Sequence, residues 1–223
     1  MKFRHEWKHE INAMDKRILD ARLSAIMKVD PHSIDGIYHS RTLYFDNLYD
    51  KALREKVDGV NMREKFRIRF YNGDLSYLTL EKKSKINGLC NKISADVTAE
   101  EAQRMVDGDI EWMKDDSREL VVELYSKMKS QGLRPRTIVE YTRKAYIYKP
   151  GNVRVTFDYD IRTGDFRTDF LNPNTVTIPV IDSPIILEVK WDEFLPDIIR
   201  DAVTLEGRHV TAFSKYEQCR IYG

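Results

Sequence analysis

The chain has only two cysteines in 223 residues, Cys90 and Cys219, and they stand far apart with no CxxC or Cys/His spacing. A disulfide framework and a zinc motif are both excluded on that basis. The five histidines, His5, His9, His32, His39 and His209, also lack metal-ligand spacing and read as structural or surface residues. No apolar run approaches the span of a bilayer, and the opening MKFRHEWKHE is charged where a secretory leader needs an apolar stretch. A cytoplasmic location is the default expectation. Glycine (10) and proline (7) are sparse, and no low-complexity stretch, internal repeat or linker divides the sequence. A single domain over 1–223 is expected. There is no Walker glycine loop, for which the Gly88 region is no substitute, and no Ser/His/Asp or Cys/His constellation. Net charge is only +1, which argues against a protein that coats nucleic acid.

What is present is a soluble globular composition, 42% apolar and 33% charged, with the charge strongly segregated. From Asn61 to Lys92 eight Lys or Arg face three acids, whereas from Asp96 to Glu123 ten acids face three bases. Solvated faces of opposite sign explain this, and so does a focused anion site on a neutral protein.

Periodicity predicts a strand over 3–11, a helix over 15–27, a strand over 38–45 and a short helix over 48–57. Arg63–Tyr71 and Leu75–Ile86 form a hairpin across Asn72-Gly73-Asp74, since Asn-Gly supports the tight primed turns. Thr98 with Glu101 makes a capping box for a helix to about Val106, and a second helix runs over 117–129 to Gln131-Gly132. A second hairpin joins 137–148 to 153–162 through Pro150-Gly151-Asn152. Strands follow at 176–180 and 185–191, then a short helix near 195–203 and a helical or mixed segment from Thr211. About eight strands with intervening helices fit an α+β protein on a mainly antiparallel sheet or closed barrel.

The strands carry charge where a core should be. Residues two apart share a face, so Lys65, Arg67 and Arg69 lie opposite Phe66, Ile68 and Phe70. Glu81, Lys83 and Lys85 share a face, as do Tyr141, Arg143 and Ala145; Arg154, Thr156 and Asp158; Glu188 and Lys190; and Arg4, Glu6 and Lys8. One such strand is ordinarily half-solvated. Six of them call for a barrel whose apolar face is outward under helices and whose lumen is polar. Cations crowded in a lumen repel one another, and a chain of phosphates relieves that repulsion. Interspersed carboxylates suit a divalent ion bridging the phosphates.

Arg4-His5-Glu6-Trp7-Lys8 resembles the N-terminal strand of the triphosphate tunnel metalloenzymes, in the variant form of VTC domains that lacks the first acid of the ExExK pattern. The resemblance continues in order through FRIRFY, LEKKSKINGLCNK, EYTRKAY, VRVTFDYDIR, LEVKWD and SKYEQCR. It implies an antiparallel β-barrel with a basic lumen and helices outside, and an ATP-dependent polyphosphate polymerase using Mn2+ or Mg2+. Lys8, Arg67, Arg69, Lys83, Arg143, Arg154 and Lys215 then fall on the phosphate chain. Tyr141, Ser214, Lys85, Lys92 and Lys190 fall on substrate-binding positions, and Glu188 and Glu6 on the metal. ATP and polyphosphate or triphosphate are the implied ligands, with an inositol phosphate regulator and a separate membrane channel protein as further partners. That channel would hold the chain at the inner face of a membrane. Arg4 stands where hydrolytic relatives carry a carboxylate, which favours phosphoryl transfer over hydrolysis.

Without the resemblance, Lys8 and Lys215 read as surface lysines, Lys83 with Glu81 as a strand-face ion pair, and Glu188 as a partner of Lys190. Arg143 and Arg154, mid-strand between apolar neighbours, need a bound anion or a buried partner. Trp7, Trp112 and Trp191 read as packing residues. Rival activities are a tunnel triphosphatase and a non-catalytic polyphosphate or inositol-phosphate binding module.

Overall fold

The structure, a computed structural model, describes residues 4–87 and 89–221; Phe3, which opens the first expected strand, and Gly88 lie outside the described residues. In chain order the elements are β1 (His5–Ile11), α1 (Ala13–Ile26), β2 (Lys28–Val29), β3 (Ile37–Asp46), α2 (Lys51–Val57), β4 (Met62–Tyr71), β5 (Leu78–Ile86), β6 (Leu89–Val97) and α3 (Ala99–Asp107). They continue with α4 (Glu119–Gln131), β7 (Arg134–Tyr148), β8 (Val153–Thr163), β9 (Ile178–Pro179), β10 (Ile185–Trp191), α5 (Asp197–Val203) and α6 (Lys215–Ile221). The strands form one antiparallel sheet in the order β1-β10-β8-β7-β3-β4-β5-β6, with β2 beside β7 and β9 beside β8. Strand twist curls a sheet of this width. Its two ends meet where Arg4, just before β1, bridges Cys90 of β6.

Local chemistry sets the element ends. At α3, the Glu101 N–H donates to Thr98 Oγ1 (3.1 Å) and the Thr98 N–H to Glu101 Oε2 (2.8 Å), the expected capping box. Asn12 and Asp15 make another at α1. Asn72 and Gly73 both take positive φ (54° and 73°), as the β4–β5 turn requires.

Three differences from the sequence reading stand out. Leu89–Val97 is a full strand, β6, which was not expected. The expected strand over 176–180 shrinks to Ile178–Pro179. The 75–86 strand starts only at Leu78.

The apolar faces point outward. Phe66, Ile68 and Phe70 of β4 and Leu78 and Leu80 of β5 pack under Ala102 and Met105 of α3 and Val121 and Leu124 of α4. Val155 and Phe157 of β8 and Leu187 and Val189 of β10 pack under Leu19 and Leu23 of α1 and Ile199 of α5. Each such buried Val, Leu, Ile, Phe or Met side chain contributes about 1.5–3 kcal/mol. α6 and the segment leading into it pack differently: Phe213, Tyr216 and Cys219 lie against Tyr44, Val139 and Tyr141. The Tyr216 hydroxyl donates to Asp46 (2.6 Å), and Arg220 pairs with Asp50 (2.9 Å), which fastens the helix there.

Candidate functional site

With apolar residues turned outward, the alternate residues of the strands meet inside. They line a cavity of about 410 Å3, onto which eleven Lys or Arg side chains and three glutamates project. A second cavity of about 430 Å3 adjoins it where β1 approaches the ends of β4–β6.

The register arranges the charges in rows. Lys8 stands opposite Glu188 and Glu6 opposite Lys190 across β1 and β10. Lys8 Nζ reaches Glu6 (3.1 Å) and Glu188 (3.3 Å), and Lys190 Nζ reaches the same two carboxylates at 3.4 and 2.6 Å. Burial and Glu188 push the Glu6 carboxyl up, but Lys8, Lys83 and Lys190 outweigh them and leave it at about 2. Burial opposes the charge of Lys8 too, yet Glu188 and Glu6 hold its proton above the ordinary lysine range.

Asp158, fully buried, accepts two hydrogen bonds from Arg143 (2.6 and 2.7 Å) and one from Lys215 (2.5 Å). Against the upward push of burial, these two cations hold its carboxyl at about 2. On the opposite wall Glu81 pairs with Arg67 (2.6 Å), Lys92 (2.9 Å) and, more distantly, Arg69 (3.6 Å). The tyrosine rings of Tyr44, Tyr71 and Tyr141 underlie Arg67, Arg69 and Lys215 at 5.7, 5.7 and 4.6 Å.

Of the residues expected on the phosphate chain, Lys8, Arg67, Arg69, Lys83, Arg143 and Lys215 line this one cavity together with Tyr141, Ser214, Lys190, Glu6 and Glu188. Arg154 lines it too, but at the rim, paired with Asp30 (2.9 Å). The buried partners required by Arg143 and Arg154 are therefore Asp158 and Asp30. Lys92 is half-exposed, and Lys85 faces only the adjoining cavity. Lys65 and Glu81 line the lumen, and Asp158 lies buried behind Arg143 and Lys215, without having been singled out as site residues. Each stands on a face whose alternation already carried named positions, so the signal was present.

Among the described residues no three His, Cys, Asp or Glu side chains gather into a metal-ligating cluster. Glu6 and Glu188 nevertheless suit a hard divalent ion, because Mg2+ and similar cations take one or two protein carboxylates and complete their shell with phosphate oxygens and water. The register puts Thr156 opposite Glu188, and its hydroxyl is buried without a hydrogen-bond partner, leaving one more oxygen uncommitted beside that pair. The residues present fit the group.

The VTC domain model matches residues 3–221, nearly the whole sequence. The chain belongs to the VTC domain family. Among solved structures, this VTC domain resembles the PH1012 protein of Pyrococcus horikoshii, at 13% identity and a TM-score of 0.53 over 96% of this chain and 98% of that one. It also resembles a candidate adenylate cyclase from Bacillus halodurans, at 12% identity and a TM-score of 0.50 over 85% and 80% of the two chains. At such identities the likeness is one of fold, the curled tunnel sheet. Comparison with curated proteins gives no match. No helix among the described residues of this VTC domain is long and apolar enough to cross a membrane.

Proposed function

We propose that this VTC domain is an ATP-dependent polyphosphate polymerase that passes the γ-phosphoryl group of ATP to a phosphate chain held in its lumen. The observation that carries the reading is the surplus of cations over carboxylates around one cavity. A linear polyanion of matching charge density is what such a lumen is suited to hold.

In this reading Arg67, Arg69, Arg143 and Lys215 bind successive phosphates, the arginines through paired N–H donors and Lys215 as a point charge. Asp158 and Glu81 keep these side chains extended into the lumen before the chain arrives. Glu6 and Glu188 would hold a divalent ion, Mn2+ or Mg2+, which neutralises phosphate charge when bound. A terminal oxygen of the growing chain forms a bond to the γ-phosphorus in line as the bond to the bridging oxygen breaks, and ADP leaves. Such a transfer asks for positioning and charge stabilisation and no protein nucleophile.

A second reading, a tunnel triphosphatase, draws support from the size of the cavity, since about 410 Å3 suits a short substrate such as triphosphate. Incubating purified protein with ATP and Mn2+, with and without a short phosphate primer, and sizing the products separates the two. Long chains appearing with ADP, and lost in Arg67→Ala and Lys215→Ala, support the polymerase. Orthophosphate alone replaces it with the triphosphatase. Binding without turnover leaves a phosphate-chain binding module.

A further inference from the structure

One lumen cation stands apart from the rest. Lys8, Lys83 and Lys190 reach Glu6; Arg67, Arg69 and Lys92 reach Glu81; Arg143 and Lys215 reach Asp158. Among the described residues no carboxylate pairs with Lys65. Its ammonium has one hydrogen bond, to Ser214 Oγ at 3.4 Å, and lies 5.5 Å from the centre of the Tyr44 ring.

The register explains the position. Lys65 stands directly opposite Lys83, and Lys83 opposite Lys92, so three lysines form one row across β4, β5 and β6. Like charges placed directly opposite across strands are destabilising. Other charges facing Lys65 add to this: Arg67 from its own strand, Lys8 from β1, and Lys215 beside Ser214 at the start of α6. From α2, Glu55 and Lys56 are engaged with Lys51 and Glu217, and on β1 Glu6 is shared among three other lysines. Burial first, then Lys83, Arg67, Lys8 and Lys215, hold the Lys65 amine well below the ordinary lysine range. In the empty lumen it therefore gives up its proton more readily than a free lysine. A bound polyanion reverses the local field and restores the proton.

We propose that Lys65 is a further phosphate-chain contact of the lumen and that it takes up a proton as the chain binds. The proposal rests on the phosphate-chain reading of the site and adds to it a pH coupling located at one side chain.

Inorganic triphosphate is titrated calorimetrically into wild type, Lys65→Arg and Lys65→Met, each in two buffers of different ionisation enthalpy near neutral pH. Proton changes on the ligand itself are common to all three. The wild type is expected to take up more protons per bound triphosphate than either variant, because the arginine stays charged and the methionine carries no proton. Lys65→Arg keeps most of the affinity, whereas Lys65→Met loses about tenfold or more. Equal proton uptake in wild type and in whichever variant folds, with triphosphate bound, overturns the role of Lys65 while leaving the phosphate-chain reading intact. Absence of triphosphate binding in the wild type overturns both.

Discussion

Asp158 and Glu6 show how individual side chains keep the lumen charged. Both carboxyls sit at about 2 in the folded chain, against ordinary values of 3.8 and 4.5. The unfolded chain therefore binds more protons between these limits. The stability the two groups contribute is fully present above about pH 5 and is lost as the pH falls towards 2. Denaturant titrations across that window are expected to show the loss, and Asp158→Asn to flatten part of it. That substitution also leaves Arg143 and Lys215 without their shared buried partner, at a cost of about 3 kcal/mol or more. Added triphosphate should recover some of this loss in a thermal melt, since it supplies the missing negative charge. Lys65 gives the opposite sign. Lys65→Met is expected to raise the melting temperature of the ligand-free protein by about 2–4 °C, corresponding to about 1 kcal/mol, while weakening phosphate binding. A fall in melting temperature would show that Lys65 is stabilised in the empty lumen.

At the scale of elements, the alternation in FRIRFY, LEKKSK and LEVK was enough to separate an outward apolar face from an inward charged one. The period of two is a direct consequence of strand geometry, and the cavity lining follows it residue by residue. β6 was legible in outline: Leu89, Ile93, Ala95 and Val97 share one face, interrupted only by Asn91, and Cys90, Lys92, Ser94 and Asp96 share the other. The pairing of Ile86 with Leu89 across Asn87-Gly88, a second Asn-Gly pair, was a further signal. The charge partners were not legible. That Asp158 serves Arg143 depends on the β7–β8 register and its bulge between Glu140 and Thr142, and that Lys215 reaches the same carboxylate depends on how α6 folds back. The β7–β8 turn carries its own test. Gly151 has φ +68°, and an added Cβ would run into the Phe194 carbonyl oxygen. Gly151→Ala is expected to cost about 2 kcal/mol, a drop of about 4–8 °C in melting temperature, with the lumen chemistry unchanged.

Over the whole molecule, a net charge of +1 conceals a cation-rich interior, because the cavity lining carries eleven Lys or Arg but only three of the 36 acidic residues. α4 illustrates the division: Glu123 takes Lys82 at 2.6 Å on the outer wall, while Lys83, the next residue, faces the lumen. Burial of Lys8, Arg67, Arg143 and Lys215 also limits screening, so phosphate-chain binding should weaken with salt less steeply than binding to an exposed basic patch, whose charges act through about one Debye length of solvent. Titrating triphosphate at increasing salt measures that slope. The central claim, that the lumen holds a phosphate chain, is tested most directly by a crystal structure of the protein grown with inorganic triphosphate. The account predicts phosphate density inside the barrel within hydrogen-bond distance of Arg67, Arg69, Arg143 and Lys215. Density confined to the outer surface, or an empty lumen at saturating triphosphate, would contradict it.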